Sequence, residues 1–239
     1  MILAAGLGTR LRPLTERVPK CMVRLGGKPL LEYTVERLRR FSVTDLIINL
    51  CHLPEAVPNY FGDGSKWGVR ITYSVEPTAL GTAGGVKKAA WFFDGPFYVC
   101  YGDNLSACDL DRLYIFHRAK GGLASIALHW RDDPTQSGIV GLDADDRVVR
   151  FLEKPRPEQV FSRWVSAGIF VLEWPVLDLI PSEGCPDFGR DVFPAMLTAG
   201  HALYGYRMSA NEGLWWIDTP DDLRRVEQWI NGGGLCEGA

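Results

Sequence analysis

Apolar and polar residues along this chain switch between two periods, and the switches mark its elements. Ile2-Leu3-Ala4-Ala5 is an unbroken apolar run that stops at Gly6-Leu7-Gly8-Thr9-Arg10, the pattern of a short buried strand entering a glycine loop. Over residues 30–41, Leu31, Val35 and Leu38 recur at helical spacing, with Glu32, Glu36, Arg37, Arg39 and Arg40 on the other faces; this predicts an amphipathic helix covering a sheet. Residues 45–50 then read as a buried strand. The opening is therefore β, loop, helix, β, for which a right-handed crossover between parallel strands is expected. Val69, Ile71, Tyr73 and Val75 alternate with polar neighbours and predict another strand.

Residues 76–85 form a glycine-rich loop, and residues 86–93 read as a helix with Lys87 and Lys88 exposed. Next come a strand over 97–101, a turn at Gly102-Asp103-Asn104, a helix over 110–120 and a strand over 125–130. A hairpin is expected between residues 138–142 and 148–152, about Asp143-Ala144-Asp145-Asp146-Arg147. Further on, 166–172 is a strand, 191–199 a helix and 203–208 a strand. Thr219-Pro220-Asp221-Asp222 is a helix start with Thr219 as N-cap, proline at N1 and an acid at N3. Leu223, Val226 and Ile230 supply the buried stripe before Gly232-Gly233-Gly234 stops it. Strands alternating with helices make this an α/β fold with a mainly parallel sheet.

Composition narrows the chemistry. A chain of 239 residues with 46% hydrophobic content can bury a substantial core, and one domain over 1–239 is expected. The formal net charge of -3 leaves no basic excess for nucleic acid, and Arg10, Arg12, Arg17, Lys20, Arg24 and Lys28 crowd the start instead, which argues for a local anionic ligand. Cys21, Cys51, Cys100, Cys108, Cys185 and Cys236 form no CxxC pair, so they read as reduced thiols of a cytoplasmic protein rather than a zinc or disulfide framework. No apolar run approaches the roughly 20 residues of a membrane helix, and no charged leader precedes an apolar segment.

A strand that ends in glycines presents backbone N–H groups to phosphate. Two common phosphate loops fail here. The dinucleotide fingerprint needs glycine where Leu11 stands, which sets a dehydrogenase aside, and the P-loop needs Gly-Lys where Leu11-Arg12 stand. The longer string GLGTRLRPLT with Pro19-Lys20 behind it resembles the signature of the sugar-1-phosphate nucleotidylyltransferases. That resemblance extends through EPTALGTAGG, YGDN, FLEKP, SAGIFVL and DFGRDVFP in order, and its wording is closest to the mannose-1-phosphate guanylyltransferase branch.

The resemblance implies a three-layer α/β/α sandwich of Rossmann-like nucleotidyltransferase type, with a mainly parallel mixed sheet; the C-terminal left-handed β-helix that the family often carries is not expected, since the sequence holds no such hexapeptide repeats. It implies that Leu3, Ala5, Gly6, Gly8, Thr9 and Arg10, with Glu76, Gly81 and Thr82, hold the nucleotide, that Arg10, Lys20 and Asp103 are catalytic, and that Gly138, Glu153, Lys154, Ser166 and Gly168 hold the sugar phosphate. Ser166 stands where the family commonly has asparagine. Mg²⁺ is the implied cofactor, on Asp103 and a second aspartate near the end. The family's DxGTP string puts that aspartate at Trp216, so either Asp218 takes the role through a local register change or the second ligand is missing. The implied partners are an NTP, GTP by the wording of residues 81–84, and a sugar 1-phosphate, mannose 1-phosphate first. Heptose-1-phosphate guanylyl transfer, uridylyl transfer to glucose or N-acetylmuramate 1-phosphate, and an inactive regulatory homologue are the rivals. Neither nucleic acid nor membrane is a partner, and a homodimer is compatible with the sequence.

Overall fold

The computed structural model describes residues 1–234; Cys236 lies outside them. In chain order the elements are β1 (Ile2–Leu3), β2 (Arg24–Leu25), β3 (Lys28–Pro29), α1 (Leu30–Arg40), β4 (Asp45–Leu50), α2 (Ala56–Phe61), β5 (Arg70–Val75), α3 (Gly81–Lys88), β6 (Phe97–Tyr101) and β7 (Asn104–Ser106). They continue with α4 (Leu110–Lys120), β8 (Ala124–Trp130), β9 (Gly138–Leu142), β10 (Val148–Glu153), β11 (Trp164–Leu172), α5 (Phe193–Thr198), β12 (Leu203–Arg207), β13 (Leu214–Trp216) and α6 (Pro220–Trp229). Contacts divide the chain into two compact units. The first comprises Met1–Ala79, Cys100–Ala107 and the chain from Leu214; the second comprises Leu80–Val99 and Cys108–Gly213.

In the first unit β1 pairs in parallel with β4 and with the end of β6, and β4 pairs in parallel with β5. All-parallel strands are buried on both faces, which is why Ile2, Leu46, Ile47 and Ile48 carry no polar alternation and are fully buried. Each such side chain contributes about 1.5–3 kcal/mol relative to an exposed one. Helix α1 buries Leu30, Leu31, Val35 and Leu38, and its buried Arg37 donates to Ser106 Oγ at 3.2 Å. The strand Leu214–Trp216 was not anticipated. It pairs antiparallel with β7, Trp216 opposite Asn104, and Ile217 behind it joins Leu11, Leu25, Leu30, Leu105 and Val226 in one buried cluster. Trp215 lies against Trp229 with ring centroids 4.3 Å apart, so these rings pack within the unit rather than offer a ligand platform.

Helix α6 starts as its sequence demands. Thr219 Oγ1 accepts from Asp222 N at 3.2 Å, and the Asp222 carboxylate returns to Thr219 N at 2.9 Å, a complete capping box. Thr219→Ala should cost about 1 kcal/mol of stability, readable as a lower urea midpoint. An unchanged midpoint would mean that the box contributes nothing to this helix.

The second unit holds a mixed arrangement. β9 and β10 form the expected hairpin, β11 pairs antiparallel with β8 and β9, and β12 pairs in parallel with β8. β11 carries a register shift between Ser166 and Phe170, where Gly168 takes φ 69. Three expectations are corrected here. The helix expected over 86–93 begins instead at Gly81 and ends at Lys88, followed by a 3-10 turn at Ala90–Phe92. It can begin early because Ala83 N and Gly84 N both donate to Pro186 O, at 3.0 and 3.2 Å, so its first amides are satisfied from outside the helix. Lys87 is half-buried rather than exposed, its ammonium donating to Leu177 O at 2.6 Å. The helix expected over 191–199 is a wider turn at Phe188–Val192 followed by α5, because Asp187 caps the turn by accepting from Gly189 N and Arg190 N.

Candidate functional site

The first unit places a cluster of candidate residues at the carboxyl ends of its parallel strands, where open α/β sheets bind ligands. The end of β1 is braced from both neighbouring strands: Gly102 N donates to Leu3 O at 2.8 Å, and Ala4 N donates to Asn49 Oδ1 at 2.8 Å. Since the backbone donor fixes the oxygen of Asn49 toward Ala4, its amide nitrogen points at Glu76 Oε1, 2.7 Å away. Glu76 is 2% exposed, so this carboxylate, expected among the nucleotide contacts, is a buried anchor joined through Asn49 to β1. Leu3 and Ala5 are likewise buried. Asn49 was missed in the sequence reading, although a lone amide in the apolar run Leu46–Leu50 was the signal.

Beyond Ala5 the chain forms a loop and then a 3-10 turn at Thr9–Leu11. Gly8 has φ 60, and a Cβ there would stand 2.8 Å from Lys20 Cβ and 2.9 Å from Thr15 Cγ2. Only glycine meets both conditions. Buried Thr15, also missed, donates to Gly8 O at 2.8 Å and holds the turn. At exposed Gly6, nothing lies within 4 Å of where a Cβ would stand.

Four charged side chains then converge. Lys20 Nζ lies 2.7 Å from both Asp103 Oδ2 and Asp218 Oδ1, and Arg10 Nη2 lies 2.9 Å from the same Asp218 oxygen. The Lys20 side chain is only 8% exposed. Burial alone would lower its pKa, but the two carboxylates outweigh that and hold it above the usual lysine value. The β7–β13 pairing explains the meeting: Asp103 immediately precedes Asn104, Asp218 lies two residues past Trp216, and Asn104 and Trp216 are opposite each other. Buried Ile217 and the capped helix then fix the backbone on either side of Asp218. Two cations and two anions cancel, so the cluster can exchange its internal ion pairs for phosphate oxygens and a hard cation.

Among the described residues no group of three or more His, Cys, Asp or Glu side chains could hold a metal. A pair of carboxylates suits Mg²⁺, which keeps several waters and takes further ligands from substrate phosphates. Asp103 and Asp218, directed at one point, fit that requirement. Burial, with the charge of Asp103 adding, pushes the thiol of the neighbouring Cys21 up to about 12.

The second unit carries the residues expected at the sugar phosphate. Glu153 ends β10, and its Oε2 lies 2.6 and 2.5 Å from where Cβ atoms on Gly138 and Gly189 would stand, so the absence of a side chain at these two positions leaves room for its carboxylate. Burial first, then the charge of Asp187, raises the pKa of Glu153, while Lys154 and Arg190 pull it down. Lys154 is exposed, has φ 46 and donates its N–H to Ser137 O at 3.2 Å. Ser166 Oγ accepts from Gly168 N at 3.4 Å within the bulge of β11. Gly81 and Thr82 open α3, where Thr82 Oγ1 donates to Asp187 Oδ2 at 2.7 Å. Gly189 and Asp187 were missed as individual residues, although DFGRDVFP had been noted as a string.

The chain belongs to the nucleotidyl transferase family, whose pattern matches residues 1–230. It is 38% identical over 232 residues to the UTP–glucose-1-phosphate uridylyltransferase of Synechocystis, covering 91% of this chain and 59% of that protein. It is 36% identical over 229 residues to the mannose-1-phosphate guanylyltransferase of Mycobacterium tuberculosis, covering 94% and 62% respectively. The chain thus spans about three-fifths of the length of these relatives. A Bacillus anthracis crystal structure, provisionally named as a glucose-1-phosphate thymidylyltransferase and holding sucrose, superposes with a TM-score of 0.84 at 26% identity, covering 95% of this chain and 92% of that one. The fold is α/β with a mixed, mainly parallel sheet of the Rossmann-like nucleotidyltransferase type.

Proposed function

We propose that this chain transfers a nucleotidyl group from an NTP to a sugar 1-phosphate, with GTP and mannose 1-phosphate as the preferred pair. The observation that carries the reading is the convergence of Arg10, Lys20, Asp103 and Asp218 beside the glycine loop. A sugar-phosphate oxygen attacks the α-phosphorus of the NTP, forming the new P–O bond as the bond to the departing pyrophosphate breaks. No protein nucleophile is needed; the work is positioning and charge neutralisation. Arg10 and Lys20 stabilise phosphate oxygens. Asp103 and Asp218 would hold Mg²⁺, which supplies charge neutralisation and phosphate alignment when bound. Glu153 accepts hydrogen bonds from sugar hydroxyls, and Lys154 meets the sugar phosphate.

The contacts of Asp218 with Lys20 and Arg10 support an enzyme over an inactive nucleotide-sugar-binding homologue, because the second carboxylate is supplied from two positions past Trp216. A cytoplasmic location belongs to the same proposal and is supported by Cys21, Cys51 and Cys100, none of which is in a disulfide. No helix among the described residues is long and apolar enough to cross a membrane.

A second reading, uridylyl transfer, is favoured by the identity to the Synechocystis uridylyltransferase. A panel of four NTPs against several sugar 1-phosphates, read by pyrophosphate release, separates the two. GTP is expected to be preferred over UTP and dTTP by about 5- to 150-fold, the effect of a base-edge polar group left unpaired in a closed pocket. A clear preference for UTP or dTTP would reverse the reading of residues 81–84, and release with no pair would remove the proposed activity.

A further inference from the structure

In the second unit, one short segment touches both the loop read as nucleotide-binding and the carboxylate read as sugar-binding. Asp187 Oδ2 accepts from Thr82 Oγ1 at 2.7 Å, and Thr82 Oγ1 in turn accepts from Phe188 N at 3.0 Å. The preceding residue, Pro186, offers its carbonyl to Ala83 N and Gly84 N. The other oxygen of Asp187, Oδ1, accepts from Gly189 N at 2.9 Å and Arg190 N at 3.2 Å, and so fixes the turn that brings Gly189 against Glu153. The backbone of Asp187 is itself held, its N–H donating to Asp191 Oδ2 at 2.7 Å. The Asp187 side chain is 19% exposed, and its bonds with Thr82 and Gly189 are partly buried.

We infer that Asp187 is a positioning residue that sets the loop bearing Gly81 and Thr82 and the carboxylate of Glu153 together, an inference that rests on the reading of both as parts of a nucleotidyl-transfer site. One carboxylate with one oxygen committed to each side cannot shift toward either without loosening the other. Displacement of Thr82 therefore moves the turn, and through Gly189 it moves Glu153. Glu153 also feels Asp187 as a charge. The charged groups acting on it are Asp187, which disfavours its ionised form, and Lys154 and Arg190, which favour it.

The test uses the whole protein with Asp187→Asn and Thr82→Val, measuring kcat and the KM of each substrate across pH, with thermal unfolding as a check on folding. Thr82→Val should raise the KM for the sugar phosphate as well as for the NTP, by roughly fivefold or more, although Thr82 is not itself a sugar contact. Asp187→Asn keeps an acceptor toward Gly189 N but removes the charge. The acid-side rise in KM for the sugar phosphate, where Glu153 takes up a proton, should then move to lower pH, because burial still raises its pKa but the added charge of Asp187 is gone. An active wild type whose Thr82→Val variant changes only the NTP's KM, or whose Asp187→Asn variant leaves the acid limb in place, would overturn the inference alone. A wild type with no turnover would overturn the functional reading and this inference with it.

Discussion

Asp103→Asn is expected to abolish turnover while leaving the fold intact, and Asp218→Asn to do nearly the same. Asparagine keeps the shape of each side chain but removes the charge through which Lys20 and a divalent cation would be held. Folding should survive, because each substitution leaves the buried Lys20 ammonium paired with the other carboxylate. Catalysis should suffer far more, because phosphate charge in the transition state is neutralised by groups fixed in advance. Loss of one such group lowers turnover on the order of 10²- to 10³-fold. Both effects can be read on the same samples, by pyrophosphate release and by thermal unfolding. Full Mg²⁺-dependent turnover in Asp103→Asn would end the metal assignment. Wild-type turnover in Asp218→Asn would leave Asp218 as a charge ahead of α6, where it favours the helix dipole by about 0.3–1 kcal/mol.

Arg10→Ala should lower turnover on the order of 10²-fold or more with almost no change in stability. Its side chain is 51% exposed and its ion pair is with Asp218, so truncation opens no cavity and loses at most about 1 kcal/mol. The loss should appear mainly in kcat if the guanidinium meets phosphate charge that develops in the transition state, and mainly in KM if it only binds the ground-state triphosphate. Activity within a few-fold of wild type would remove Arg10 from the mechanism.

Most of the α/β framework was legible because periodicity reports burial directly. The run Leu46–Ile48 is apolar throughout because a parallel strand has no wet face, and the capping box at Thr219 reads from four letters. What escaped depends on contacts between distant segments. The early start of α3 requires a carbonyl from Pro186, far along the chain, so no local pattern could give it. Counting along the DxGTP string put Trp216 at the aspartate's position and left Asp218 as one of two alternatives; the contact that brings Asp218 to Lys20 depends on the pairing of β7 with β13, which no local count could give. Asn49 and Thr15 were visible as polar letters in apolar or loop surroundings, but their partners, Ala4 N and Gly8 O, are backbone atoms that no side-chain motif encodes. Glu76 shows the reverse case, a residue named from a motif whose carboxylate lies buried behind Asn49.

The central claim is that the cluster of Arg10, Lys20, Asp103 and Asp218 carries nucleotidyl transfer, and phosphorus-31 NMR of wild type and Asp103→Asn incubated with GTP, mannose 1-phosphate and Mg²⁺ tests it most directly. The wild type should convert the two substrates into a sugar-linked diphosphate and pyrophosphate in equal amounts, and Asp103→Asn should leave both substrates unchanged. Unaltered substrate signals with the wild type, or equal conversion by both proteins, would contradict the account.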